Sequence, residues 1–269
     1  MLIRTITGAF ITALMYLMIF FSYNPWVILS ATSVLCAFSV YEICRATQTA
    51  KHKVFLVVAT IISIGLIICE IPYYNIILGI TYVVSIVVSL YLMTHQHVKL
   101  SSPLKSAFIS LLIVLMFKAI PQLRLLENGF YYLTLAVTLS FVTDVAAYLI
   151  GRNFGKHKLS PKVSPNKTVE GSVAGVVFSV LIMVLCGVLI EGLTEVSVNY
   201  FMLCAYALLA SVSGQFGDLS MSAIKRVCKI KDFGAILPGH GGILDRFDSH
   251  LFSIAFTFLF CSITGGFLS

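Results

Sequence analysis

The sequence predicts an all-α polytopic membrane protein of about nine transmembrane helices, and three observations carry that reading. Of 269 residues, 59% are hydrophobic and only 11% charged, with a mean hydropathy of +0.99, far outside the usage of water-soluble domains. The apolar residues fall in runs close to the roughly 20 residues a bilayer span requires. The charges, finally, are crowded into two short windows. Such a composition excludes a disordered chain, a coiled coil and a disulfide-stapled secreted fold. The seven cysteines, at 36, 44, 69, 186, 204, 228 and 261, are scattered through mostly apolar runs and read as small core hydrophobes.

In chain order the expected spans are 4–22, 26–44, 54–70, 75–93, 106–120, 130–149, 171–190, 198–216 and 250–267. The first run lacks a small-residue cleavage site and leads directly into the second, so it reads as a span and not as a signal peptide. Pro25, Pro72, Pro103 and Pro121 fall at or beside expected boundaries, where proline least disturbs a helix. The fifth run is the shortest. No internal repeat stands out, which gives no support to an inverted-repeat transporter.

Orientation follows from Lys and Arg, which concentrate on the cytoplasmic side of membrane proteins. Nine spans with a cytoplasmic amino terminus and an outer carboxy terminus put Arg4, Arg45, Lys51, Lys53, Lys99 and Lys105 inside, together with every basic residue of the two windows; only Lys118 and Arg124 fall outside. Both windows then face the compartment of nucleotides and anionic headgroups.

The second window contains Asp218, Ser222, Lys225, Arg226, Lys231, Asp232, the turn Pro238-Gly239-His240-Gly241-Gly242, then Asp245, Arg246 and Asp248. Carboxylates at span ends are the hard oxygen ligands that Mg²⁺ takes, one or two at a time, together with substrate phosphates; Asp218 and Asp245 are the best candidates. Arginine can grip phosphate as a fork and lysine as a point charge. Glycines permit positive φ and close backbone approach, so that amides can face an anion. Each feature alone has a plainer explanation: a structural ion pair, a turn cap, a topology signal. Their compression into one juxtamembrane segment has no simple packing explanation, and interfacial ionisable residues are functional candidates by default.

The first window runs from Asp144 to Gly171 and carries Arg152, Lys156, Lys158, Lys162 and Lys167. Ser164-Pro165 predicts a helix start, with serine as N-cap and proline at the first helical position. Lys167 would then stand beside the free amides of that helix, an anion site. It is not a Walker A loop, since no glycine precedes Lys167-Thr168 at the required spacing. Asp144, within the sixth span, is expected to face the same cavity as Asp218.

From Ser222 to Asp248 the chain resembles the phosphatidate cytidylyltransferases, or CDP-diacylglycerol synthases. Their signature of Ser, two residues, Lys-Arg, four residues, Lys-Asp, five residues, Pro-Gly-His-Gly-Gly, two residues, Asp-Arg, one residue, Asp is matched without a gap. Gly151 to Lys158, Ser164-Pro165, Lys167-Thr168 and Glu170-Gly171 also look like that family, whereas the first 130 residues match only as generic spans. Met221 and Val169 depart from it, standing where many members carry an acid and an aromatic.

The resemblance implies an N-terminal region of about five spans (1–129) and a catalytic C-terminal region (130–269) with signature loops 144–171 and 217–248. It implies transfer of the cytidylyl group of CTP to phosphatidate, giving CDP-diacylglycerol and pyrophosphate, in a protein probed by phospholipid chemistry and not by nucleic acid. Asp218 and Asp245 would hold Mg²⁺, with a second metal left open by Met221. Lys225, Arg226, Lys231, Arg246 and Lys167 would clamp phosphates. His240 would touch phosphate or pyrophosphate, and Gly241, Gly242, Ser222, Asp144 and Asp248 would complete the substrate site. The expected setting is a bacterial plasma membrane with the site facing the cytoplasm; homodimerisation stays open. Two rivals belong to other classes: a CTP-dependent lipid-alcohol kinase, which would release CDP, and a transporter, whose polar residues would lie at mid-membrane depth.

Overall fold

The computed structural model describes residues 2–94, 101–234 and 241–269. Lys99 and the Pro238, Gly239 and His240 of the signature lie outside the described residues. Among the described residues nine α-helices follow one another: α1 (Leu2–Phe20), α2 (Pro25–Ala46), α3 (Lys53–Ile68), α4 (Tyr74–Thr94), α5 (Ser102–Arg124), α6 (Gly129–Phe154), α7 (Val169–Leu193), α8 (Tyr200–Val227) and α9 (Leu244–Thr264). Seven of them, α2 and α4 to α9, are long and apolar enough to cross a membrane; α3 and the apolar stretch Gly8–Tyr23 are shorter. A helical membrane protein is therefore borne out.

Local chemistry explains the ends. Pro25 opens α2 behind Asn24, whose side chain accepts the Trp26 amide at 3.0 Å. Proline 121 does not end α5, which runs on to Arg124, so the short fifth run is a full-length helix. Lys118 of α5 is buried, 1% exposed, and its Nζ donates to the carbonyls of Leu66 and Ile67 at 3.0 and 3.2 Å and to that of Cys69. It thus closes the C-terminus of α3, where helix carbonyls lack intrahelical partners. Lys118, expected among the outer basic residues near the end of the fifth run, is a buried helix cap.

The helices that matter for function are α6 to α9, which pack on one another, with α2, α4 and α5 laid against α9. α7 shows how the membrane shapes this group. Its inner face, Gly171, Gly175, Ser179, Met183 and Gly187, repeats every four residues, and small residues there let helix backbones approach closely. Its outer face, including Val173, Val177, Leu181 and Leu185, is exposed, as suits contact with lipid.

Two boundaries differ from expectation in ways that move the site. α8 continues past residue 216 to Val227, and α9 begins at Leu244. Asp218, Ser222, Lys225 and Arg226 are therefore helical, as are Asp245, Arg246 and Asp248; the segment expected as one loop contains two helix ends, with residues 228–243 between them. Ser164 does not cap a helix either. Ser164–Thr168 is a β-strand, β2, antiparallel to β1 (Lys158–Ser160), and the N-cap of α7 is Thr168, whose hydroxyl accepts the Gly171 amide at 3.2 Å. The local Ser-Pro signal loses to pairing with β1, and among the described residues this hairpin is the only sheet in an otherwise α-helical fold.

Candidate active site

The C-terminal ends of α6 and α8, the N-terminal ends of α7 and α9 and the β1–β2 hairpin enclose a cavity of about 700 Å³. Helical spacing explains the signature on α8: Asp218, Ser222 and Lys225 stand at i, i+4 and i+7, hence on one face. Asp245 and Asp248 stand at i and i+3 on α9. Asp144, on α6, accepts the Ser249 hydroxyl of α9 at 2.8 Å, which fixes it at the cavity wall. Asp144, Lys167, Asp218, Lys225, Asp232, Asp245, Arg246 and Asp248 all line this space.

The two charged windows, distant in sequence, meet here. Lys167 Nζ of β2 lies 2.6 Å from Asp218 Oδ2 of α8, so its acidic partner comes from the other window. Glu170, the nearer acid of its own window, is taken by His157, whose Nδ1 lies 2.6 Å away and whose amide also donates to it. Arg226 Nε donates to the Val163 carbonyl at 3.2 Å and so braces the hairpin; it does not line the cavity. Nor do Ser222, Lys231, Gly241 and Gly242. Ser222 instead donates to Asp218 Oδ1 at 3.5 Å.

The carboxylates are not equivalent. Asp245, 4% exposed, accepts Lys225 Nζ at 2.9 Å on Oδ1, and the amides of Phe233 and Gly242 at 2.8 and 2.9 Å on Oδ2. Most of its acceptor capacity is spent on the protein. The Gly242 amide is likewise spent on Asp245 and cannot also face a substrate phosphate. Gly241 adopts φ +83°, and a Cβ there would lie 2.8 Å from Asp245 Oδ2, so this position favours glycine on both counts. Asp218 and Asp248 keep more capacity: Asp218 meets Lys167 and Ser222 through side chains, and Asp248 accepts the Ser249 amide at 3.0 Å.

Among the described residues, no three His, Cys, Asp or Glu side chains are gathered tightly enough to hold a metal by themselves. This donor set fits Mg²⁺, which takes one or two carboxylates and fills the rest of its octahedron with water and substrate phosphate, and it does not fit a closed structural site. Arg246 shows the complementary need. It lines the cavity, and its Nε is buried without a hydrogen-bond partner among the described residues. A buried, unsatisfied guanidinium nitrogen is costly unless an acceptor meets it.

Several cavity residues were not singled out by the sequence. Gln215 and Ser172 join α8 to α7 through a hydroxyl-to-amide bond and the return bond from Gln215 Nε2 to the Ser172 carbonyl at 3.0 Å. Tyr148, Arg152 and Asn166 also line the wall. Glu42 of α2 lies outside the cavity yet bonds directly to the start of α9. Its signal was available, since it is the only acidic residue before Glu70 and lies inside an expected span.

Fold and site together define a helical membrane protein with a cavity suited to a polyphosphate at one end of its bundle. The chain belongs to the cytidylyltransferase family, whose model matches residues 2–264. Among curated relatives it is similar to the phosphatidate cytidylyltransferase of Bacillus subtilis (strain 168), at 34% identity over 137 residues, 51% of this chain and 49% of that protein. Proteins of the same name from Staphylococcus haemolyticus (strain JCSC1435) and Staphylococcus aureus (strain COL) are each 35% identical, over 126 and 130 residues, covering 47% of this chain and 47% of each relative. The matched stretch thus spans about half the length of these relatives.

Proposed function

We propose that this protein transfers the cytidylyl group of CTP to phosphatidate, releasing pyrophosphate and leaving CDP-diacylglycerol in the membrane. The observation that carries the proposal is the cavity in which the unsatisfied Arg246, the hairpin lysine Lys167 and the carboxylates Asp144, Asp218 and Asp248 meet at one end of the bundle. Family membership and the names of the relatives support it.

In the proposed reaction an oxygen of the lipid phosphate attacks the α-phosphorus of CTP. A new phosphoanhydride bond forms as the α–β bond breaks, and the electron pair leaves with pyrophosphate. The nucleophile is already ionised, so no strong base is needed; the obstacle is the approach of two anions. Arg246 and Lys167 answer it by placing positive charge where negative charge accumulates. Lys225 holds Asp245 and thereby the start of α9, and Arg226 holds the hairpin that carries Lys167. Lys231 and His240 remain proposals for phosphate contact as CTP enters. When bound, Mg²⁺ would neutralise charge on the triphosphate; Asp218 and Asp248, which keep acceptor capacity, would hold it, with Asp245 reached only by sharing the oxygen that Lys225 uses.

The proposed setting is a bacterial plasma membrane crossed by nine spans, with the amino terminus and the cavity cytoplasmic, lipid entering sideways and CTP from water. Residues 1–129 would act as scaffold and 130–269 as the catalytic region. The test is purified protein in detergent, given CTP and phosphatidate. Pyrophosphate and a liponucleotide in equal amounts are expected; release of CDP in place of pyrophosphate would instead mark a CTP-dependent kinase.

A further inference from the structure

Glu42 does not line the cavity, yet it bonds to the start of α9, which carries part of the cavity wall. It lies near the C-terminus of α2 and is 1% exposed. Its Oε1 accepts the Ile243 amide and its Oε2 the Leu244 amide, both at 2.9 Å. These are donors of the kind that a helix start leaves without intrahelical partners. The residue before α9, Ile243, offers no side-chain cap. A carboxylate from a helix 201 residues earlier supplies one, where the positive end of the helix dipole favours it.

The fit is close. A methyl group on Gly242 would overlap Glu42, whose carboxylate atoms are the three nearest, and one on Gly234 would overlap Glu42 Oε1. Three successive amides are thus captured, that of Gly242 by Asp245 and those of Ile243 and Leu244 by Glu42. The next residues along are Asp245, Arg246 and Asp248, all in the cavity wall.

We propose that Glu42 is a positioning residue for the transfer reaction: it fixes the first turn of α9 and so sets where Arg246 and Asp248 stand relative to substrate. This rests on the transfer reading above. It also explains the last glycine of the signature by the carboxylate seated against it.

Glu42→Gln conserves size but replaces one acceptor oxygen by a donor, leaving one amide unmatched. Per molecule of monodisperse enzyme, kcat is expected to fall about tenfold or more, the usual scale for losing a group that orients the residues touching substrate. KM for CTP should stay within about twofold on the same argument. Amide exchange should accelerate in the peptide covering 242–246 and nowhere else. A second measurement separates positioning from bulk stability: Gly242→Ala should be damaging in the wild-type chain and nearly silent in a Glu42→Ala background, because the methyl then has room. Wild-type kcat with unchanged exchange in Glu42→Gln would overturn the proposal, as would an equal cost of Gly242→Ala in both backgrounds. If Glu42→Gln does not fold, exchange at 243 and 244 in Gly242→Ala decides, acceleration supporting the proposal and no change overturning it. If the wild-type enzyme makes no liponucleotide, the transfer reading fails by itself, and the exchange data still decide whether Glu42 holds this turn.

Discussion

Asp218 and Asp245 carry the same formal charge, but their surroundings give them different tasks. Asp218 stands with an exchangeable partner, Lys167, at 2.6 Å; Asp245 is enclosed, with Lys225 and two amides. Asp218→Asn is expected to remove turnover while leaving the melting temperature in detergent unchanged, and double-digit residual activity at saturating Mg²⁺ would refute its place as a ligand. Asp245→Asn should remove turnover and also destabilise the protein by about 3–5 kcal/mol, because it strands a buried lysine; a thermal melt distinguishes the two. Lys167→Ala should cost about 2–4 kcal/mol of transition-state stabilisation in kcat/KM if it meets charge developing on the phosphates, with assembly unchanged. Wild-type kinetics for both substrates would reduce the hairpin to a topology signal. At this scale it was legible that Asp218, Lys225, Asp245, Arg246 and Asp248 would gather at one cavity, because unpartnered charge beside apolar runs demands a reason; Arg226 and Lys231, expected with them, do not line it. The division of labour among them was not, since it depends on which oxygens the fold has already filled. Gln215 and Ser172 left no trace because uncharged polar residues are common inside helix bundles.

Helices were legible from apolar run length alone, and all nine exist among the described residues. Their ends were less so wherever charged residues extend a helix beyond the apolar stretch, as in α8 and α9, since hydropathy measures the membrane and not the helix. The hairpin was missed because a two-strand pairing leaves little periodicity in eleven residues, while Ser-Pro imitates a helix start. Lys118 makes the element scale testable. Lys118→Met keeps the aliphatic bulk but withdraws the donor from the end of α3, and a loss of about 1–3 kcal/mol in stability is expected from the carbonyls left buried. A melting temperature equal to wild type would show that the α3 terminus finds other partners. In either case activity per folded molecule should be unaffected, because α3 lies away from the cavity wall.

For the molecule as a whole, recognising Lys118 as a buried cap sharpens the charge asymmetry of the proposed topology, in which Arg124, at the end of α5, is the one basic residue among those described that is left on the side opposite the two windows. An engineered cysteine near Lys158 should be labelled only from the cytoplasmic face; labelling from outside intact cells would invert the proposed orientation. Chelation of divalent cations should abolish turnover and leave the protein monodisperse, because Asp218 is paired with Lys167, and Asp245 with Lys225 and two amides, without a metal. The bond between α2 and α9 also has a temporal meaning. A ribosome adding about 5–20 residues per second delivers Glu42 roughly 10–40 s before the amides of Ile243 and Leu244, which lie 201 and 202 residues downstream. During that interval a carboxylate waits at the end of an inserted helix with neither of those donors in existence. Assembly of the cavity is therefore among the last events of biogenesis, and a chain arrested before α9 lacks the part of the wall that Asp245, Arg246 and Asp248 supply.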